Sequence, residues 1–204
     1  MNYGQLKTLI SSLSHRTDLT SLYDNFVELV EARIGRELMA IENEYTEEVT
    51  TTAQVYDLSG LTKTFSKMRS IYASINGDRC ALPFYSKAQL DFLTSGISYT
   101  PYGYTIESNK LEIRPTNGNQ TITLTYWFKP TTLVGADGNT NEILTTFPHL
   151  YINGLLSEIA AYERDTESEA EYRAKFQTEL NDINERAEDA RYSGSSPAAI
   201  GQLA

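Results

Sequence analysis

Near its C-terminal end the chain carries DTESEAEYRAKFQTELNDINERAEDARY, from Asp165 to Tyr192. From Tyr172 its apolar residues fall at Phe176, Leu180, Ile183, Ala187 and Ala190, spaced by threes and fours. That is one continuous helical stripe. Glu171, Glu179, Asp182, Glu185 and Asp189 lie mainly off it. Lys175 and Arg186 stand four residues after Glu171 and Asp182, the favourable order for helix ion pairs. The carboxylates therefore read as a solvated face rather than as catalytic or metal-binding groups. The stripe is long and narrow and must pack on something.

Two helical patterns open the chain. Tyr3, Leu6, Ile10 and Leu13 fit a short helix, which SHRTD breaks. Leu22, Phe26, Val30, Ile34 and Leu38 form the stripe of a longer one, with Asp18, Thr20 or Ser21 as candidate caps. From Tyr45 to Lys129 the period changes to two. EYTEEVTTTAQVYDL puts Tyr45, Val49, Thr51, Ala53 and Val55 on one parity. SIYASING offers Ile71, Ala73 and Ile75 before an Asn76-Gly77 turn. SKAQLDFL predicts a short helix capped by Ser86 with Gln89.

YGYTIESNKLEIRPTNGNQTITLTYWF reads as consecutive antiparallel strands, joined near Ser108-Asn109 and at Pro115–Gly118. In the last of them Ile122, Leu124, Tyr126 and Phe128 face one way, and Thr121, Thr123, Thr125 and Trp127 the other. After the polar loop PTTLVGADGNTNE, Pro148 starts a further helix, and Thr166 with Glu169 has the capping-box pattern of the next. The expected fold class is α+β. N- and C-terminal helices (residues 1–43 and 147–192) form a helical bundle around an inserted antiparallel β domain (44–146), and a tail follows (193–204).

Little in the sequence carries chemistry. His15 and His149 are the two histidines, and neither has a partner at metal-ligand spacing. Cys80 is the one cysteine, so no internal disulfide is expected, and a buried, inert thiol is the reading of it. ADGNTNE lacks the full calcium-loop pattern and reads as a turn-rich loop. PTNGNQ reads as a hairpin connection, not a phosphate cradle, and no nucleophile elbow occurs. Glu47 and Glu48 adjoin on an alternating strand and point to opposite faces. An enzyme is not expected, nor is a cofactor. No signal peptide or membrane span is predicted. A net charge of −10 argues against a nucleic-acid clamp. The 14 tyrosines either fill half-buried strand positions or serve interfaces.

Two stretches carry a family resemblance. LVEARIGREL (Leu29–Leu38) supplies Ala32, Arg33, Arg36, Glu37 and Leu38. The C-terminal zone supplies Pro148, Leu150, Leu155 and Glu158, then Asp165 and Glu167, then Tyr172, Phe176 and Leu180, and finally Arg191, Ser193 and Gly194. This pattern resembles the head-to-tail adaptor (connector) proteins of short-tailed bacteriophages, over both ends and the helix–strands–helix order.

The resemblance implies a structural virion protein of the phage neck or tail, assembled in the host cytoplasm. It implies a homo-oligomeric ring, a dodecamer, below the portal protein and joined to tail nozzle or fibre proteins. Genomic DNA would pass through without specific binding. Leu22, Phe26, Val30, Ile34, Leu38, Tyr172, Phe176, Leu180, Ile183 and Ala187 would pack neighbouring subunits. Arg191, Tyr192, Ile200 and Leu203 would bind the portal. The alternative reading is a tail-associated ligand- or glycan-binding module, with Trp127, Tyr102, Tyr104 and Tyr126 stacking on sugars.

Overall fold

The computed structural model describes residues 1–51, 54–75, 78–93, 103–114 and 120–192. In chain order its elements are α1 (Tyr3–Ser14), α2 (Tyr23–Glu37), β1 (Glu44–Thr51), β2 (Val55–Asp57), β3 (Phe65–Ile75), β4 (Asp78–Ala81), α3 (Lys87–Leu93), β5 (Gly103–Glu107), β6 (Lys110–Arg114), β7 (Gln120–Phe128), α4 (Glu142–Thr146), α5 (Pro148–Glu163) and α6 (Thr166–Tyr192). Helices and antiparallel sheets are both present, as an α+β chain requires. The chain divides into two compact units: residues 1–43 with the chain from Pro130 onward, and Glu44–Lys129. Residues 130–146, expected with the β-rich insertion, belong to the helical unit, because Leu133, Ile143 and Leu144 are buried in its core.

In the helical unit, α1 begins with a reciprocal cap. Asn2 Oδ1 accepts the Gln5 N–H at 2.9 Å, and Gln5 Oε1 accepts the Asn2 N–H at 3.0 Å. His15 ends α1 in the left-handed region, at φ 55°. Tyr3, Leu6 and Ile10 are buried. Leu13, expected on the same stripe, is exposed, since it stands at the edge of that face one residue from the helix end.

In α2 the buried side chains are Tyr23, Phe26, Val27, Val30 and Ile34. Leu22 is half-buried just before the helix, and Leu38 is buried just after it in extended backbone. None of Asp18, Thr20 or Ser21 caps it. A 3-10 turn at Thr20–Leu22 runs straight into α2, which leaves no free first turn for a side chain to close. The cap of α6 also differs from expectation. Asp165, not Thr166, accepts from the Ser168 N–H (3.2 Å) and hydroxyl (2.6 Å). A carboxylate at that position also faces the positive end of the helix dipole.

The core of the helical unit is shared by α1, α2, α4, α5 and α6. Pro148 opens α5, where the missing N–H costs nothing. Phe176, Leu180 and Ile183 of α6 join this core and Ala187 is buried, but Ala190 is exposed, so the seam ends at Ala187. Each fully buried aliphatic or aromatic side chain contributes roughly 1.5–3 kcal/mol of transfer free energy.

The second unit packs two antiparallel sheets, β1-β7-β3-β4 and β2-β6-β5, around one core. Ile122, Leu124, Tyr126 and Phe128 of β7 point into it, as the alternation predicts. β5 and β6 form the expected hairpin, with Ser108 and Asn109 both at positive φ (49° and 62°). β6 and β7 do not form one. They lie in different sheets, and residues 115–119 lie outside the described residues.

The single strand expected from Tyr45 to Leu58 is likewise two strands in two sheets. Val55 is therefore exposed, and Tyr56 turns to the core instead. Ser86 and Gln89 cap α3 as expected, through Ser86 N–H to Gln89 Oε1 at 3.1 Å. Ala53 and the Asn76-Gly77 turn lie outside the described residues.

Candidate interaction surfaces

The residues expected to pack subunits together are spent inside one chain. Phe26, Val30, Ile34 and Leu38 meet Phe176, Leu180 and Ile183 in a single core. Ala187 is buried as well, while Leu22 and Tyr172 are only half-buried against this core. A side chain at 0–7% exposure has no surface left for a neighbour. Specific polar links fix the three long helices. Arg33 of α2 pairs with Glu158 of α5. Asn184 of α6 accepts the Met39 N–H at 2.7 Å and donates to the Glu37 carbonyl at 3.0 Å. Both family-like stretches thus meet through side chains that the patterns themselves contain.

Glu31 is a structural residue the sequence reading passed over. Its position, four after Val27 and three before Ile34, puts a carboxylate on the apolar face of α2, which was the available signal. It holds residues 131–133 against the helices. Oε1 accepts the Leu133 N–H at 2.8 Å, and Oε2 accepts the Thr132 hydroxyl at 2.7 Å. Oε1 also takes a long bond, 3.4 Å, from the Tyr151 hydroxyl. Asn141 donates to that hydroxyl and to the Thr131 carbonyl, both at 2.8 Å. Burial raises the Glu31 pKa above the usual carboxylate value, and its three hydrogen bonds oppose the rise.

ADGNTNE, the loop with partial calcium-site character, has a structural task. The carbonyls of Asn139 and Asp137 accept the Tyr3 and Gly4 N–H groups, both at 2.8 Å, and Asp137 pairs with Lys7. It docks the first turn of α1. Among the described residues no three His, Cys, Asp or Glu side chains gather as a metal site would need.

The exposed side of α6 forms a groove of about 630 Å³ with the start of α5. Phe147, Ala174 and Ile183 give it an apolar floor, and Glu179, Asp182, Lys175, Arg186 and His149 a charged rim. Asn153 donates to Glu179 at 3.4 Å. Burial raises the Glu179 pKa, with His149, the Asn153 bond and Arg186 opposing and Asp182 reinforcing. Mixed charge over an apolar floor is the composition of a protein contact. Along α6, Glu171 pairs with Lys175 at this groove and Glu169 with Arg173, on the solvated face the sequence predicts.

The remaining candidates are placed as follows. His15 is a helix cap. Cys80 is half-buried rather than buried, because β4 is an outer strand of its sheet. Tyr104 and Tyr126 are buried in the core of the β unit and Trp127 is 8% exposed, so the three offer no sugar platform. Tyr126 instead donates to Glu47 at 2.9 Å. Tyr102 lies outside the described residues. Of the portal-contact candidates, Arg191 and Tyr192 are the last two residues of α6, while Ile200 and Leu203 lie outside the described residues.

Among the described residues, no helix is long and apolar enough to cross a membrane. No curated protein matches the chain. The family model described as SU10 adaptor protein matches residues 1–201. The match takes in both helical zones and the β unit between them, so the chain belongs to the SU10 adaptor protein family, a family of phage head-to-tail adaptors.

Proposed function

We propose that the chain builds a homo-oligomeric ring, twelve-fold, below the portal and joins it to tail nozzle or fibre proteins. The observation that carries this reading is a family match running through 1–201, nearly the whole chain. The ring is assembled in the host cytoplasm and stays in the neck of the virion. Its action is binding, not catalysis. DNA passes through the lumen without specific contacts, because a chain of net charge −10 repels phosphate.

Helix α6 has 27 residues against the 16 of α5, and its apolar seam ends at Ala187. Arg191 and Tyr192 therefore follow the packed part of the helix, and with Ile200 and Leu203 they are the proposed portal contacts. Deleting Ser193–Ala204 tests this assignment. The truncated chain is expected to keep its far-ultraviolet circular dichroism and to lose co-sedimentation with the portal of the same phage. Undiminished co-sedimentation removes the tail from the mechanism.

A further inference from the structure

We infer that the outward face of α1 is a contact between copies of this chain, a conclusion that rests on the ring reading above. The chain has 27 Asp and Glu residues, yet α1, YGQLKTLISSLS, has none. Its outward face carries Leu9 and Leu13, 36% and 48% exposed, beside the exposed Gln5, Thr8 and Ser12.

Two grooves run along this helix and share Thr8 and Ser12. One, of about 650 Å³, runs past Leu9 to Gly138. The other, of about 470 Å³, runs past Ser11 to Tyr23. Asp137 is the one carboxylate that lines either, and it is paired with Lys7. The outward faces of α2 and α6 differ: α2 exposes Asp24 and Glu28, and α6 exposes Glu171, Asp182 and Glu185.

Charge selects the occupant. Two copies of net charge −10 repel wherever carboxylates face each other. A face without free carboxylates lets them meet. Thr8 and Ser12, shared by the two grooves, form a ridge between them, with Leu9 lining one side, and such a ridge is also the shape into which the side chains of a second helix interlock. Nucleic acid does not fit, because the cation at this face, Lys7, is already paired.

The experiment is sedimentation of the full chain across a concentration series, alone and with the portal of the same phage. Wild type is compared with Leu9→Glu/Leu13→Glu and Leu9→Ser/Leu13→Ser, and thermal melts check folding. Both leucines are exposed, so the melts are expected to coincide. The glutamate pair is expected to weaken self-association by about tenfold or more, and the serine pair by less. If the glutamate pair does not fold, the serine pair carries the test.

A ring that forms undiminished from the variants overturns this inference and leaves the ring reading standing. Variants that self-associate normally but no longer bind the portal assign the face to the portal and overturn it too. A wild type that stays monomeric alone and on the portal overturns the ring reading and this inference together.

Discussion

Gly154 of α5 lies so close to α2 that a Cβ there would stand 2.8 Å from Val30 Cγ1 and 3.3 Å from Phe176 Cδ2. Three helices meet at that point, and only the absence of a side chain allows it. Gly154→Ala gains about 1 kcal/mol of helix propensity but overpacks the contact at a cost of about 1–3 kcal/mol. Net destabilisation is expected in urea unfolding. Adding Val30→Ala makes room, so the double variant should lose less than the sum of the two. A midpoint raised by the full helix-propensity gain would mean that α2 and α5 do not approach this closely.

Because the α6 seam is intramolecular, Leu180→Ala should destabilise the isolated monomer. A buried leucine truncated to alanine costs about 2–5 kcal/mol. Ala190, exposed about three turns nearer the C-terminus, should tolerate Ala190→Ser within about 0.5 kcal/mol. If Leu180→Ala melts like wild type and only fails to assemble, the seam belongs between subunits after all.

Glu31 ties residues 131–133 to the helices. Glu31→Ala strips acceptors from the Leu133 N–H and the Thr132 hydroxyl, and about 1–3 kcal/mol should be lost. Its pH behaviour has a definite sign. Burial raises the native pKa above the unfolded value of about 4.3. The native state therefore holds the proton more tightly, and the stabilising effect of that proton is full below the unfolded value. It is lost as pH rises through the raised native value. The stability of wild type relative to Glu31→Gln should fall as pH rises through that window. A difference independent of pH contradicts the account.

Asp18 behaves in the opposite sense. The hydrogen bond from Arg16 is the main cause that lowers its pKa, to about 2. The pairing is present above the unfolded value of about 3.9 and is lost as pH falls toward the native one. Carboxyl carbon shifts followed by NMR should give a midpoint near 2. In Arg16→Ala the midpoint should return to the ordinary carboxylate range. A wild-type midpoint already in that range would show that the pair does not hold in solution.

Periodicity made the helices legible. The spacing from Tyr172 to Ala187 marks the buried face of α6, and Ser86 with Gln89 marks the start of α3. It could not name the partner of a stripe. Phe176 and Leu180 look the same whether they meet Val30 of their own chain or of a neighbour. Alternation has the same blindness in strands: Ile122 and Ile113 are both buried, but nothing local says that β6 and β7 lie in different sheets. The Glu31 network escaped because its partners lie about a hundred residues away in a loop that reads as polar.

The central claim is that this adaptor forms a ring on the portal. Light scattering of the purified chain, alone and mixed with the portal of the same phage, tests it most directly. The account predicts a folded monomer that converts to a stoichiometric ring on the portal. A stable small oligomer that ignores the portal would contradict it.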